Sequence, residues 1–231
     1  MFSAVGATAQ AIVTGTPMHT IFQTKSFRVA GLVAVAGLAL AACSKEPSAD
    51  KMSAGEFTLG NPAAKVTVVE YASVACPLCA QFNKTVMPQF TSKYIDSNEV
   101  RYVYRPMMTG NPAVATAGHL LAGCAGKDKV FKVIDAIMRS QQEMGGEETG
   151  YANARPVLLD IGKSVGLSED AVNKCITDPQ GIDALNKAND KALKDDGVDG
   201  TPTFFVNGKK LTRTKGDLSD FDNAIQPLLK K

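Results

Sequence analysis

Val69-Glu70-Tyr71-Ala72-Ser73-Val74-Ala75-Cys76-Pro77-Leu78-Cys79 decides how the rest of the chain is read. The apolar, β-branched run 66–69 predicts a strand, and a short turn follows it. Two cysteines with two residues between them then open a helix. Pro77 suits the first helical position, where its missing N–H costs nothing. That places the Cys76 sulfur among unpaired N–H groups, at the positive end of the helix dipole. A thiolate is stabilised there, so the Cys76 pKa is expected below its free value. Strand, Cys-x-x-Cys and helix together describe a redox dithiol. Cys76 is the expected nucleophile, with an exposed sulfur. Cys79, one turn further in, is the expected buried resolving thiol.

Upstream, residues 56–59 read as a short strand closed by Gly60-Asn61-Pro62. Downstream, Phe82, Val86 and Phe90 are spaced for one buried helical face, and Pro88 is expected to kink that helix or end it early. Residues 99–105 alternate and predict the next strand. Strand, helix, strand at this spacing is a βαβ unit with parallel pairing. From 111 to 179 the chain reads as mostly helical, at 113–125, 127–144, 155–165 and 168–177. Gly166 and Ser168-Glu169-Asp170 supply a stop and a cap between the last two. A further helix follows at 182–194. Strand signals return at 203–206 and 209–212, joined by Asn207-Gly208 as a type I′ turn. A last helix over 218–226 ends before Pro227.

The chain has 231 residues, 45% hydrophobic and 21% charged, enough for one domain with a sizeable core or one domain with an insertion. Its formal charge of +2 comes from Lys25 and Arg28, both in the N-terminal segment. No basic patch or interleaved aromatics argue for nucleic acid. Residues 29–42 are continuously apolar and follow those two cations. A basic start and an apolar run this short predict a secretory signal over 1–42, with Met18 as its expected true start. Leu40-Ala41-Ala42-Cys43 resembles the bacterial lipobox, which makes Cys43 the expected lipidation site; the alternative is plain cleavage near Ala42. Ser44 after it resembles outer-membrane sorting. Residues 43–55 then form the anchor and a polar tether, about 20 Å from end to end. The expected location is the periplasm, lipid-anchored to the cell envelope.

That compartment favours disulfides. Beyond Cys43 four cysteines remain, and Cys124 and Cys175 are expected to pair as a structural disulfide; two buried free thiols are the alternative. Half a zinc site is the alternative for Cys76 and Cys79. Zinc needs four ligands, and the sequence offers no second Cys-x-x-Cys and only His19 and His119. His119, Met107 and Met108 read as core or loop residues, with a copper role at the dithiol as an alternative. Glu70 is an acid in an apolar strand, which is unfavourable unless it has a partner or a function. The alternative is a strand-end Glu facing solvent.

The order of elements resembles the thioredoxin superfamily, and most of all its DsbA-type branch, in which a helical domain is inserted between two halves of the fold. Two motifs carry the resemblance: Glu70 to Cys79 with Phe82 just after, and Gly200-Thr201-Pro202-Thr203-Phe204-Phe205-Val206-Asn207-Gly208. It implies an α/β thioredoxin fold from 56–110 and 181–231, with a helical insertion at 111–180. It implies a cis Pro202 facing the dithiol and a Thr201 backbone that pairs with an extended client segment. It makes Glu70 the buried acid that takes the Cys79 proton through water. Pro77 and Leu78 then set the redox poise. Leu78 stands where strongly oxidising members have His, so a weaker oxidant is expected.

The function implied is a membrane-anchored thiol–disulfide oxidoreductase without metal or cofactor. Its partners are reduced or misoxidised exported proteins and a membrane redox partner that resets the dithiol, and the chain is expected to be a monomer. The alternatives are a reductase or isomerase running the same chemistry backwards, or a copper chaperone.

Overall fold

The computed structural model describes residues 55–146 and 148–230. The expected leader, the start at Met18, lipidation at Cys43 and the tether up to residue 54 lie outside the described residues.

The β-branched run forms β2 (Val66–Ala72), flanked by β1 (Phe57–Gly60) and β3 (Val100–Pro106). β2 and β3 pair in parallel, joined by the crossover that contains the dithiol helix, α1 (Pro77–Thr85). β1 lies antiparallel to β3, and β4 (Thr203–Val206) antiparallel to β2. The short β5 (Lys209–Lys210) completes a five-stranded sheet in the order β1-β3-β2-β4-β5. β2 is therefore central, and the turn that leaves it carries Cys76.

α1 stops at Val86, and α2 (Met87–Phe90) restarts with Pro88 in its first turn, where no N–H is missed. A π-helical turn, Thr91–Ile95, follows and sends Tyr94 and Ile95 into the core. Beneath α1 the rings of Phe82, Phe90, Phe204 and Phe221 pack together, with Phe82 and Phe204 centroids 4.7 Å apart. This cluster ties α1 to β4 and to α8 (Leu218–Leu229) across more than a hundred residues.

Between β3 and β4 run α3 (Pro112–Cys124), α4 (Val130–Arg139), α5 (Ala154–Ser164), α6 (Glu169–Ile176) and α7 (Pro179–Lys194). α3 starts where the Asn111 side chain accepts from the N–H groups of Ala113 and Val114. α6 starts where Ser168 accepts from Ala171 at 3.2 Å, the cap read from the sequence. Four elements depart from the expected boundaries by more than one residue. α4 is shorter at both ends: it begins after a turn over 127–129, and at its far end a run of turns leads to Gly145 and Gly146, both at positive φ, which turn the chain back. α7 begins three residues earlier, where Asp178 caps and Pro179 takes the first position. β5 is only two residues long, although the Leu211 N–H still bonds the Phe204 carbonyl at 2.8 Å. α8 runs through Pro227, whose missing bond falls in the final turn. Asn207 and Gly208 both have positive φ, as a type I′ turn requires.

Cys124 at the end of α3 and Cys175 in α6 are joined by a disulfide. Among the described residues, no helix is long and apolar enough to cross a membrane.

Candidate active site

Cys76 is the N-cap of α1, with extended backbone (φ −89°, ψ 122°), and Pro77 follows at the first helical position. Its carbonyl accepts from the Ala80 N–H at 3.0 Å. The turn before it is held from three sides. Ser73 Oγ accepts from the Ala75 N–H and donates to the Thr109 carbonyl. From the helical segment, Gln141 Nε2 donates to the carbonyls of Val74 and Cys76, and the Tyr151 hydroxyl donates to the Ala75 carbonyl. Opposite lies the Thr201–Pro202 peptide, which is cis, as the resemblance implied. Cys76 Sγ is 3.5 Å from the Thr201 carbonyl oxygen and donates to it as a thiol. Residues 125 positions apart are thus brought into contact.

Cys76 is not the exposed residue that its place at a helix start suggested: only 7% of it is open to solvent. The cis-proline loop and the turn from Ser73 cover it. Its thiol is nonetheless held down at about 5, against an ordinary 9.0. The main cause is a hydrogen bond from the Cys79 thiol. Burial opposes it; the Thr201 side chain and the backbone N–H groups of Cys79 and Leu78 reinforce it. Cys79 is fully buried, and its own pKa is pushed well up, first by burial and then by donating to Cys76 and by the nearby Glu70. The two sulfurs thus have opposite proton affinities: one leaves as a thiolate, the other as a thiol.

Glu70 is 2% exposed, so it does not face solvent. Burial raises its pKa to about 8, opposed by a hydrogen bond from the Tyr102 hydroxyl and by the charge of Arg213. The carboxyl is therefore protonated at neutral pH and coupled electrostatically to both cysteines.

Leu78 is 61% exposed beside the dithiol, an apolar residue facing solvent. Below, Tyr104 hydrogen-bonds His119 at 3.0 Å, and burial lowers the His119 pKa to about 3, so its ring is neutral. His119 and Met107 are core residues; Met108 is partly buried and accepts from Thr116 Oγ1.

Sequence reasoning missed Tyr102, Thr109, Gln141, Tyr151 and Arg213. The alternation of β3 does put Tyr102 and Tyr104 on one face. The register sets Val68 opposite Tyr102 and Glu70 opposite Tyr104, yet the Tyr102 hydroxyl reaches Glu70 on the diagonal and Tyr104 meets His119, so side-chain packing decides the polar partners.

Comparison with known proteins agrees with this geometry. The thioredoxin family model matches residues 52–226. A Rickettsia bellii protein, provisionally named a protein-disulfide oxidoreductase, is 33% identical over 158 residues, covering 68% of this chain and 59% of its own. The chain thus spans somewhat more than half the length of that relative. The crystal structure of Wolbachia pipientis alpha-DsbA1 matches at 26% identity with a TM-score of 0.67, over 76% of this chain and 91% of that one. A protein-disulfide isomerase from Novosphingobium aromaticivorans has the same fold at 22% identity and a TM-score of 0.66, over 78% of this chain and all of its own. With its helices set between β3 and β4, and a dithiol facing a cis-proline, this chain belongs to the thioredoxin family, on its DsbA-like branch.

Proposed function

We propose that the chain is a thiol–disulfide oxidoreductase that introduces disulfides into exported proteins. The observation that carries this reading is the unequal pair: Cys76 held as a thiolate at the head of α1, against a cis-proline loop, and Cys79 buried as a thiol behind it. In the oxidised protein, a client thiolate attacks Cys76 Sγ and the Cys76–Cys79 bond breaks. Cys79 departs and takes a proton, for which the protonated Glu70 is the nearby source. A second client thiolate then attacks the client sulfur of the mixed disulfide, and Cys76 leaves as the stabilised thiolate. The client loses two electrons, and the dithiol gains them. Pro202 and Thr201 present backbone to the client as an added strand, and Pro77 and Leu78 line the approach.

A membrane redox partner re-oxidises the dithiol. The protein works in the periplasm as a monomer, lipid-anchored through Cys43, preferably at the outer membrane, and Cys124–Cys175 is a structural staple of the helical block. The low Cys76 pKa favours the oxidising direction, because it stabilises the reduced dithiol product.

The test is Cys79→Ser. This variant is expected to accumulate client proteins linked through Cys76, released by reductant, and these adducts vanish in Cys76→Ser. A Cys79→Ser protein that traps nothing, while the wild-type chain binds copper stoichiometrically, would instead favour the metal-chaperone reading.

A further inference from the structure

Between α1 and the segment that follows α4 runs an open channel of about 1090 Å³. Pro77, Ala80, Gln81, Lys84 and Thr85 form one wall. Their spacing puts them on a single face of α1, away from Cys79 and Phe82, which the helix buries. The other wall is the end of α4 and the turns that follow it, as far as Tyr151. The channel begins at the dithiol, because Pro77 follows Cys76 directly and Gln141 and Tyr151 hold the dithiol turn. Gln141 is only 9% exposed. Both hydrogens of its side-chain amide go to the carbonyls of Val74 and Cys76, and its Oε1 has no hydrogen-bond partner among the described residues. A nearly buried amide oxygen without a donor, next to the carbonyl of Cys76, suits a backbone N–H arriving from outside.

The channel also carries an excess of one charge. Its lining cations are Lys84 and Arg139, and among the described residues its one acid is Glu148. Arg139 is paired with Asp135, whereas Lys84 is exposed and forms no ion pair among the described residues. Lys84 lies seven positions after Pro77 on α1, a helical rise of about 10 Å. An extended peptide covers that span in about three residues. We propose that the channel receives an extended segment of the client on one side of its reacting cysteine, with a client backbone N–H on Gln141 Oε1 and an acidic client side chain, third from the cysteine, on Lys84. The channel is continuous with the dithiol turn, which makes the client its occupant: a chain joined to Cys76 leaves the sulfur at the channel's mouth. This deepens the oxidoreductase reading and rests on it.

The test uses the Cys79→Ser protein and short single-cysteine peptides whose sulfur carries thionitrobenzoate through a disulfide. The Cys76 thiolate attacks the peptide sulfur, the peptide–thionitrobenzoate bond breaks, and the coloured thiolate leaves, so absorbance gives the rate of mixed-disulfide formation. The peptides carry Glu, Gln or Lys at the third residue before the cysteine, the third after it, or the sixth on either side. At low salt, Glu should react about threefold faster than Lys at the third residue on one side, the scale of one exposed ion pair, and the sixth position should show no such difference. Lys84→Glu should reverse that order. A photo-crosslinking benzoylphenylalanine at the preferred position should label residues of 77–85 or 138–151 in the trapped adduct. A rate that ignores the third residue, a charge preference equal at all positions, one that Lys84→Glu leaves unchanged, or labelling elsewhere on the protein overturns the proposal while leaving the oxidoreductase reading intact. Failure of every peptide to join Cys76 rejects that reading and this one together.

Discussion

Glu70→Gln should make the oxidised protein more stable, and by an amount that depends on pH. In the folded chain with its dithiol reduced the carboxyl titrates at about 8, chiefly because it is buried, and that burial stays when the pair is oxidised; in the unfolded chain it returns to about 4.5. The folded state therefore keeps a proton that the unfolded state releases over this whole range. By linkage, stability is full below pH 4.5 and falls as pH rises, levelling off only above 8. Each pH unit between those limits removes about 1.4 kcal/mol. At pH 7 the wild-type protein has thus lost about 3 kcal/mol, which Gln does not lose because it carries no proton to exchange. Gln also keeps an oxygen to accept from Tyr102, so the hydrogen bond need not be sacrificed. Urea unfolding of the oxidised proteins at pH 4.5 and pH 7 measures this directly, with the dithiol locked as a disulfide so that no cysteine of the pair titrates. The variant should gain about 3 kcal/mol over the wild type at pH 7, roughly 6–12 °C in Tm for a domain of this size, and almost nothing at pH 4.5. An equal gain at both pH values, or none at pH 7, would show that the acid is not held neutral by its surroundings. An acid kept in the core at a loss in stability is what a proton donor for Cys79 requires.

Replacing Cys124 and Cys175 together by Ser opens a loop of 51 residues and should lower stability by about 4 kcal/mol in the chain-entropy account, read as a drop in the urea midpoint. Gly162→Ala places a Cβ 2.3 Å from Val172 and 3.3 Å from Leu121, where α5, α6 and α3 meet, and should destabilise by about 1–3 kcal/mol in the same assay. Leu78→His puts a cation beside the Cys76 thiolate; its equilibrium with glutathione should become more oxidising by up to about tenfold, ~30 mV, and a shift the other way would contradict the role given to that position.

What the sequence determined by itself was local. Val66 to Val69 and the alternation of 99–105 suffice for β2 and β3, Pro77 and Cys76 for the start of α1, and Asn207-Gly208 for the hairpin, because each depends on backbone preferences within a few residues. The resemblance of two separate motifs then supplied the fold. Boundaries slipped where turn chemistry outweighed periodicity, as at Asp178-Pro179 and Gly145-Gly146. Tertiary structure alone decided the chemistry of the site. That Glu70 is buried follows from β2 lying in the middle of the sheet, and its meeting with Tyr102, diagonal to its register partner Tyr104, is decided by side-chain packing. That Cys76 is covered and still acidic follows from Cys79, Thr201 and the cis peptide converging on one sulfur. The pairing of Thr109 with Thr201 joins residues 92 positions apart. Charge and proton affinity depend on what surrounds a group in space, and a string of residues carries that only after the chain has closed on itself.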